Sequence, residues 1–165
     1  MAVEFLTVYD EYFDDIYRYV YVKTGNKWDA EDIVSETFRK AYVKVGTLNE
    51  GANKKAWLMT IARNTVIDYY RKKKNVFVGD EMEFYFEPLP FEDPFDQSSE
   101  LDCLKKSLTN LSKEDLEITN LRYFANMRFK DIAILLKKTE ESLRVKSSRI
   151  TKKVGILVKK CLGET

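Results

Sequence analysis

The 165-residue chain contains no histidine and only two cysteines, Cys103 and Cys161, without CxxC spacing. Structural zinc needs four ligands of the Cys/His kind, so a zinc finger is excluded on ligand count and no metal site is expected. A disulfide between the two thiols is disfavoured in a reducing compartment, and both are expected to act as small core hydrophobes. No apolar run approaches the roughly 18–20 residues that a membrane span requires. The N-terminus begins with acids and alternating aromatics, where a signal peptide would show a basic region and then an apolar stretch. Glycine and proline are scarce (six and three) beside 44% hydrophobic and 13% aromatic residues. The expectation is a globular, cytoplasmic protein with no stable membrane insertion.

Positive charge is missing from one stretch only. Residues 75–100 hold no base and eight acids: Asp80, Glu81, Glu83, Glu87, Glu92, Asp93, Asp96 and Glu100. Residues 1–74 carry 13 bases and 11 acids, and residues 101–165 carry 15 bases and eight acids, so the total of +1 conceals two positive ends and a negative middle. Blocks of like charge serve as solvated tails, linkers or interaction segments. All three prolines (Pro88, Pro90, Pro94) lie in the acidic stretch, among Phe84, Tyr85, Phe86, Phe91 and Phe95. Helical periodicity vanishes there, which predicts a linker over 75–99, extended or poorly ordered when free. Its aromatics are too many for an indifferent spacer and point to docking, on a partner or on the chain's own domains.

Before the linker, three helices are predicted. Phe5, Tyr9, Tyr12, Phe13, Ile16, Tyr17, Val20 and Tyr21 recur at helical intervals over 3–24. Gly25-Asn26 ends that helix, and Asn26 caps a second one with Asp29, Glu31 and Asp32 in its first turn. The second core stripe is Ala30, Ile33, Val34, Thr37, Phe38, Ala41, Tyr42 and Val45. A loop with Gly46, Asn49, Gly51 and Asn53 precedes a third helix over 54–74, which buries Leu58, Ile61, Ala62, Val66 and Tyr69 and ends in Arg71-Lys72-Lys73-Lys74. Three helices of this length can enclose one compact core.

After the linker, a helix through Leu101, Leu104 and Leu108 is followed by Ser112-Lys-Glu-Asp115, a capping-box-like start for the next helix. The segment Met127–Val154 then has the layout of a helix-turn-helix. Ile132, Ala133, Leu135 and Leu136 give its first helix an apolar side. Leu143, Ser147, Ile150, Val154 and Leu157 give the second a buried stripe. Arg144, Val145, Ser148, Arg149 and Lys152 point the other way. Long donors separated by small residues are what a helix needs to approach base edges and phosphates in the DNA major groove. The bland alternative is a basic, solvated helix face. The fold class is therefore all-α: domains over 1–74 and 100–165, joined by an acidic linker over 75–99, the second containing the helix-turn-helix.

Three segments, Asp29–Tyr42 (DAEDIVSETFRKAY), Ala56–Lys74 (AWLMTIARNTVIDYYRKKK) and Leu108–Val154, together resemble the extracytoplasmic-function sigma factors of bacterial RNA polymerase. The resemblance implies an alternative sigma subunit, not an enzyme, with no cofactor and no catalytic residue. It implies core RNA polymerase as partner, through the clamp coiled coil of the largest subunit, with Asp29, Asp32, Glu36, Arg39 and Lys40 as contacts. It implies promoter −10 reading and melting by Asn53, Lys54, Lys55, Arg63, Asn64, Asp68, Arg71 and Lys72, where unstacked bases must be captured and phosphates held. It also implies −35 reading by Arg144, Val145, Lys146, Ser148, Arg149 and Lys152. An anti-sigma factor covering both DNA-facing surfaces is implied by the family alone, as is a monomer when free.

Two departures from the family pattern are visible. Lys54-Lys55 stand where an aromatic commonly precedes the tryptophan, and Glu141-Ser142-Leu143-Arg144-Val145-Lys146 replaces a small-Thr-Val-Lys-Ser-Arg run. The −35 preference of relatives therefore does not transfer. The rival reading is a dimeric helix-turn-helix regulator that never touches polymerase. An enzyme acting on nucleic acid fits poorly: histidine is absent, and Asp29, Glu31 and Asp32, the nearest approach to a two-metal carboxylate cluster, are explained by helix capping.

Overall fold

A computed structural model describes residues 4–74 and 99–163, and among them every regular element is helical. The order is α1 (Phe5–Thr24), α2 (Lys27–Lys44), a 3-10 turn (Val45–Thr47), α3 (Lys54–Lys74), α4 (Ser99–Thr109), α5 (Lys113–Thr119), a π-helical turn (Asn120–Phe124), α6 (Phe129–Leu136) and α7 (Glu140–Cys161). The expected linker, with its aromatics, lies outside the described residues apart from Ser99, which already belongs to α4. No helix among the described residues is long and apolar enough to cross a membrane.

The helix ends follow from local chemistry. Gly25, at φ 64°, takes the left-handed conformation that closes α1, and its N–H donates to the Tyr21 carbonyl at 2.7 Å. The Asn26 side chain accepts from the amides of Trp28 (2.8 Å) and Asp29 (3.1 Å), so α2 starts where the sequence predicts. Asn53 caps α3 through the Ala56 amide at 3.0 Å, and Ser112 caps α5 through the Asp115 amide at 3.1 Å. The turn between α6 and α7 uses Lys137 at φ 56°, unusual without glycine. Thr139 then accepts from the Ser142 amide at 3.2 Å to begin α7.

The front helices α1–α3 pack on one another, and in the back group α7 packs against α4, α5 and α6. The groups also meet: α1 touches the π turn and α3 touches α6. Buried side chains from both sides, among them Ile33, Leu58, Ile118, Leu121, Met127 and Ile132, form one continuous core. The sequence predicts two separate cores joined by a spacer. The difference arises on α1, whose aromatic stripe faces α2 while a second face carrying Tyr19 turns to the back group.

Two expectations need correction. Tyr42, placed on the core stripe of α2, is 65% exposed: Phe5 at the start of α1 packs edge-on against its ring at 5.2 Å and leaves the rest of the side chain at the rim. Cys103 and Cys161 are joined in a disulfide, with Cα atoms 5.6 Å apart. Packing of α4 along the end of α7 brings them together across 58 residues, a pairing that sequence spacing does not reveal.

Candidate nucleic-acid interface

The exposed face of α7 is set by its buried one. Leu143, Ser147 and Ile150 are buried against the back group. Helical geometry then directs Val145, Ser148, Arg149 and Lys152 outward, and all four are exposed. Arg144 and Lys146 are already engaged. Arg144 pairs with Glu140 at 2.5 Å and its guanidinium lies 5.2 Å from the Phe129 ring centre. Lys146 reaches Glu114 at 3.0 Å. Hydrogen bonds from Lys138 and Lys146 hold the Glu114 carboxyl below the usual glutamate range. Free donors for bases or phosphate thus concentrate on Arg149 and Lys152, with Val145 and Ser148 permitting close approach.

On α3 and the loop before it, the candidate −10 residues divide sharply. Asn64 and Lys72 are exposed. Asp68 pairs with Lys40 of α2 at 3.5 Å and lies 4.0 Å from Arg71. Three others turn toward the back group. Asn53 donates to Asp131 at 2.6 Å. Lys55 donates to the Asn126 carbonyl at 2.7 Å and pairs with Asp15 at 2.8 Å. Arg63 meets Glu117 at 3.1 Å. Lys54 is half-buried, as is Trp57, which packs on the core as large aromatics usually do.

Glu117 is the residue that sequence reasoning missed. It accepts from the Tyr19 hydroxyl at 2.6 Å and from Arg63, and it ion-pairs with Lys23. Burial opposes its charged form, but Lys23, Arg63 and the Tyr19 hydrogen bond outweigh it and hold the carboxyl below the ordinary range. The same burial, with Glu117 beside it, pushes the Tyr19 hydroxyl well above its usual value, so it stays a donor. A glutamate between Leu116 and Ile118 in an apolar run is the one sequence sign of such a buried group. Beside it, a cavity of about 410 Å³ opens between the two groups, with Lys23, Arg63, Lys113, Lys137 and Lys138 on its wall.

The candidate polymerase residues on α2 are likewise unequal. Asp32 is exposed, and Glu36 pairs with Arg39 at 2.6 Å on the surface. Asp29 is mainly structural: it accepts from the Tyr69 hydroxyl at 2.7 Å and pairs with Lys73 at 3.2 Å. That hydrogen bond, with burial, raises the Tyr69 hydroxyl to about 12. Lys40 bonds Thr65 at 3.2 Å as well as Asp68.

Residues 8–76, which take in α2, α3 and all but the first three residues of α1, match the family described as Sigma-70 region 2. The chain is 30% identical over 161 residues to the ECF RNA polymerase sigma factor BldN of Streptomyces coelicolor, covering 95% of this chain and 61% of that protein. Along nearly its whole length it is similar to the ECF sigma factors. The Bacillus subtilis ECF sigma factor SigM is 28% identical over 138 residues, covering 83% of this chain and 84% of SigM. Among solved structures, the sigma factor RpoE of Bartonella quintana, crystallised with the anti-sigma factor NepR, superimposes with a TM-score of 0.65 at 24% identity. That match spans 93% of each chain and shows that the helical fold is shared. The chain thus spans about three-fifths of BldN but most of SigM and RpoE.

Proposed function

We propose that this chain is an ECF sigma factor that joins core RNA polymerase and directs initiation at promoters read at two places, −35 and −10. The observation carrying the reading is the pairing, on one chain, of a Sigma-70 region 2 bundle with a helix-turn-helix whose last helix keeps Val145, Ser148, Arg149 and Lys152 exposed opposite its buried stripe. In this division, residues 1–74 bind polymerase and open the −10 element, and residues 100–165 choose the −35 element. Asp32, Glu36 and Arg39 offer the exposed polar contacts on α2. Asn64, Arg71 and Lys72 hold the separated strand, joined by Asn53, Lys54, Lys55 and Arg63 once the groups part.

No bond is made or broken by the sigma chain itself. Its contribution is binding energy: captured bases and phosphate contacts offset the few kcal/mol of unstacking. The cytoplasmic location follows from that partner. An anti-sigma factor belongs to the same proposal, by analogy with the NepR complex. The test is transcription by core enzyme on a promoter library, with and without this chain. Sequence-selective initiation that depends on the chain supports the reading. Failure of purified chain to associate with core enzyme overturns it.

A further inference from the structure

The cavity beside Glu117 changes character with depth. Its floor is built from buried side chains: Tyr19 and Val22 of α1, Val66 of α3, Glu117 of α5 and Asn120 of the π turn. Its mouth carries Lys113 of α5 and Lys137 and Lys138 of the turn between α6 and α7, all exposed. Both carboxylates on the wall are committed, Glu117 to Lys23 and Arg63, and Glu114 to Lys138 and Lys146. Positive charge is therefore in excess at the mouth, and Lys137 has no ion pair among the described residues. The floor has the opposite deficit. Asn120 is 1% exposed, and its amide nitrogen donates to the Tyr19 carbonyl at 3.3 Å, whereas its amide oxygen has no donor among the described residues. A buried acceptor without a donor is costly and calls for a partner.

We propose that this cavity is a binding site for a nucleoside polyphosphate, with the base on the floor and the phosphates at the mouth. Its volume of about 410 Å³ falls in the range of small-molecule sites. The depth profile selects the class. Meeting Lys113, Lys137 and Lys138 together takes several negative charges, while the Glu117 carboxylate keeps anionic groups from going deeper. Val22, Val66, Leu135 and Leu136 offer aliphatic surface to the faces of a ring. At the edge of that ring, Asn120 and Glu117 present acceptors, so a base carrying N–H donors fits there. Guanine, with two adjacent donors, fits best. A phosphorylated sugar lacks the apolar body, and a fatty acid lacks the multiple charge. The bound nucleotide would touch both helical groups and stabilise the folded chain, as any ligand of the native state does. The site is separate from the exposed face of α7.

The test uses the full chain with guanosine triphosphate as probe, read by calorimetric titration and by thermal melting at physiological salt. Saturable one-to-one binding is expected, with a melting temperature that rises with probe concentration. Tripolyphosphate and guanosine each carry half of the recognition and should bind at least about tenfold more weakly. Lys137 sits at φ 56°, so Lys137→Asn removes its charge and keeps a residue that tolerates the left-handed backbone. This variant should weaken guanosine triphosphate about tenfold, as loss of one charge-assisted contact does, and leave guanosine unaffected. Lys113→Gln should act in the same way. Lys159→Gln/Lys160→Gln, two exposed lysines in the last turn of α7, should alter nothing. Tripolyphosphate as tight as the nucleotide, or equal weakening by the α7 pair, means diffuse attraction of polyanions and overturns the site. Absence of saturable binding up to millimolar probe overturns it as well. Uridine triphosphate as tight as guanosine triphosphate overturns the placing of the base on the floor.

Discussion

The Tyr19 hydroxyl donates to the Glu117 carboxylate at 2.6 Å, across 98 residues of sequence and between the two helical groups. The groups facing Glu117 are Tyr19 and Lys23 from α1 and Arg63 from α3, with Lys113 and Glu114 beside it on α5 and Lys137 and Lys138 across the cavity. Its carboxyl lies below the usual range, so its stabilisation of the seam between the groups is full above the unfolded glutamate pKa of about 4.3 and is lost as pH falls through the lower folded value. The raised Tyr19 hydroxyl has the opposite sense: its contribution is full below about 10 and is lost as pH rises through its folded value. Scattering across pH should therefore show a compact plateau through neutrality and expansion on the acid side. Glu117→Gln should flatten the acid limb; an unchanged limb would contradict the assignment.

Arg149→Ala should cost about 1–3 kcal/mol of promoter discrimination if its guanidinium reads a guanine. Arg144→Ala should cost less in base selection, because Arg144 is held by Glu140 and Phe129. Selection from a randomised −35 library by reconstituted holoenzyme separates them. Lost preference at one base position is expected for Arg149→Ala alone.

Asp32→Arg should weaken assembly with core polymerase while leaving the melting temperature within about 0.5 kcal/mol of stability, as exposed substitutions do. Asp29→Ala should behave the other way, loosening α2 from α3 through loss of the Tyr69 and Lys73 contacts. Core-binding titrations beside thermal melts decide this. Equal effects of both substitutions on polymerase binding would place the contact surface elsewhere.

Reducing the Cys103–Cys161 disulfide should destabilise the chain by about 2–4 kcal/mol, the typical worth of such a bond. Cys161 is exposed and Cys103 buried, so the bond is open to reductant from one end. Melts with and without dithiothreitol should differ by this amount, and Cys103→Ser/Cys161→Ser should melt at one temperature under both conditions.

Asn26→Ala should cost about 0.5–2 kcal/mol, the usual worth of an N-cap, since the amides of Trp28 and Asp29 lose their acceptor. Chemical denaturation gives the value directly.

Much of the architecture was legible because it is local. Asn26 and Ser112 are caps by their own chemistry, and Leu143, Ser147 and Ile150 declare the buried side of α7 by spacing alone. The contacts between the two groups were not legible, for a physical reason. Tyr19, Glu117, Asp131 and Arg63 look like ordinary surface residues until helices distant in sequence bring them together. Tyr42 misled in the opposite sense: it continues a true stripe to the rim of the bundle, where Phe5 alone packs on its ring. Both candidate sets divide between exposed side chains and committed ones: Val145, Ser148, Arg149 and Lys152 against Arg144 and Lys146 on α7, and Asn64 and Lys72 against Asn53, Lys55 and Arg63 in front.

The π turn at Asn120–Phe124 supplies both Asn120 and the Phe124 carbonyl to the junction with α1. A π turn holds one residue more than the α turn it replaces. Deleting a single residue there would restore an α turn with little change in the course of the helix, while withdrawing Asn120 or the Phe124 carbonyl from its partner on α1. The surplus residue thus serves the seam and not the bundle, and shortening this turn by one should weaken the junction without unfolding either half.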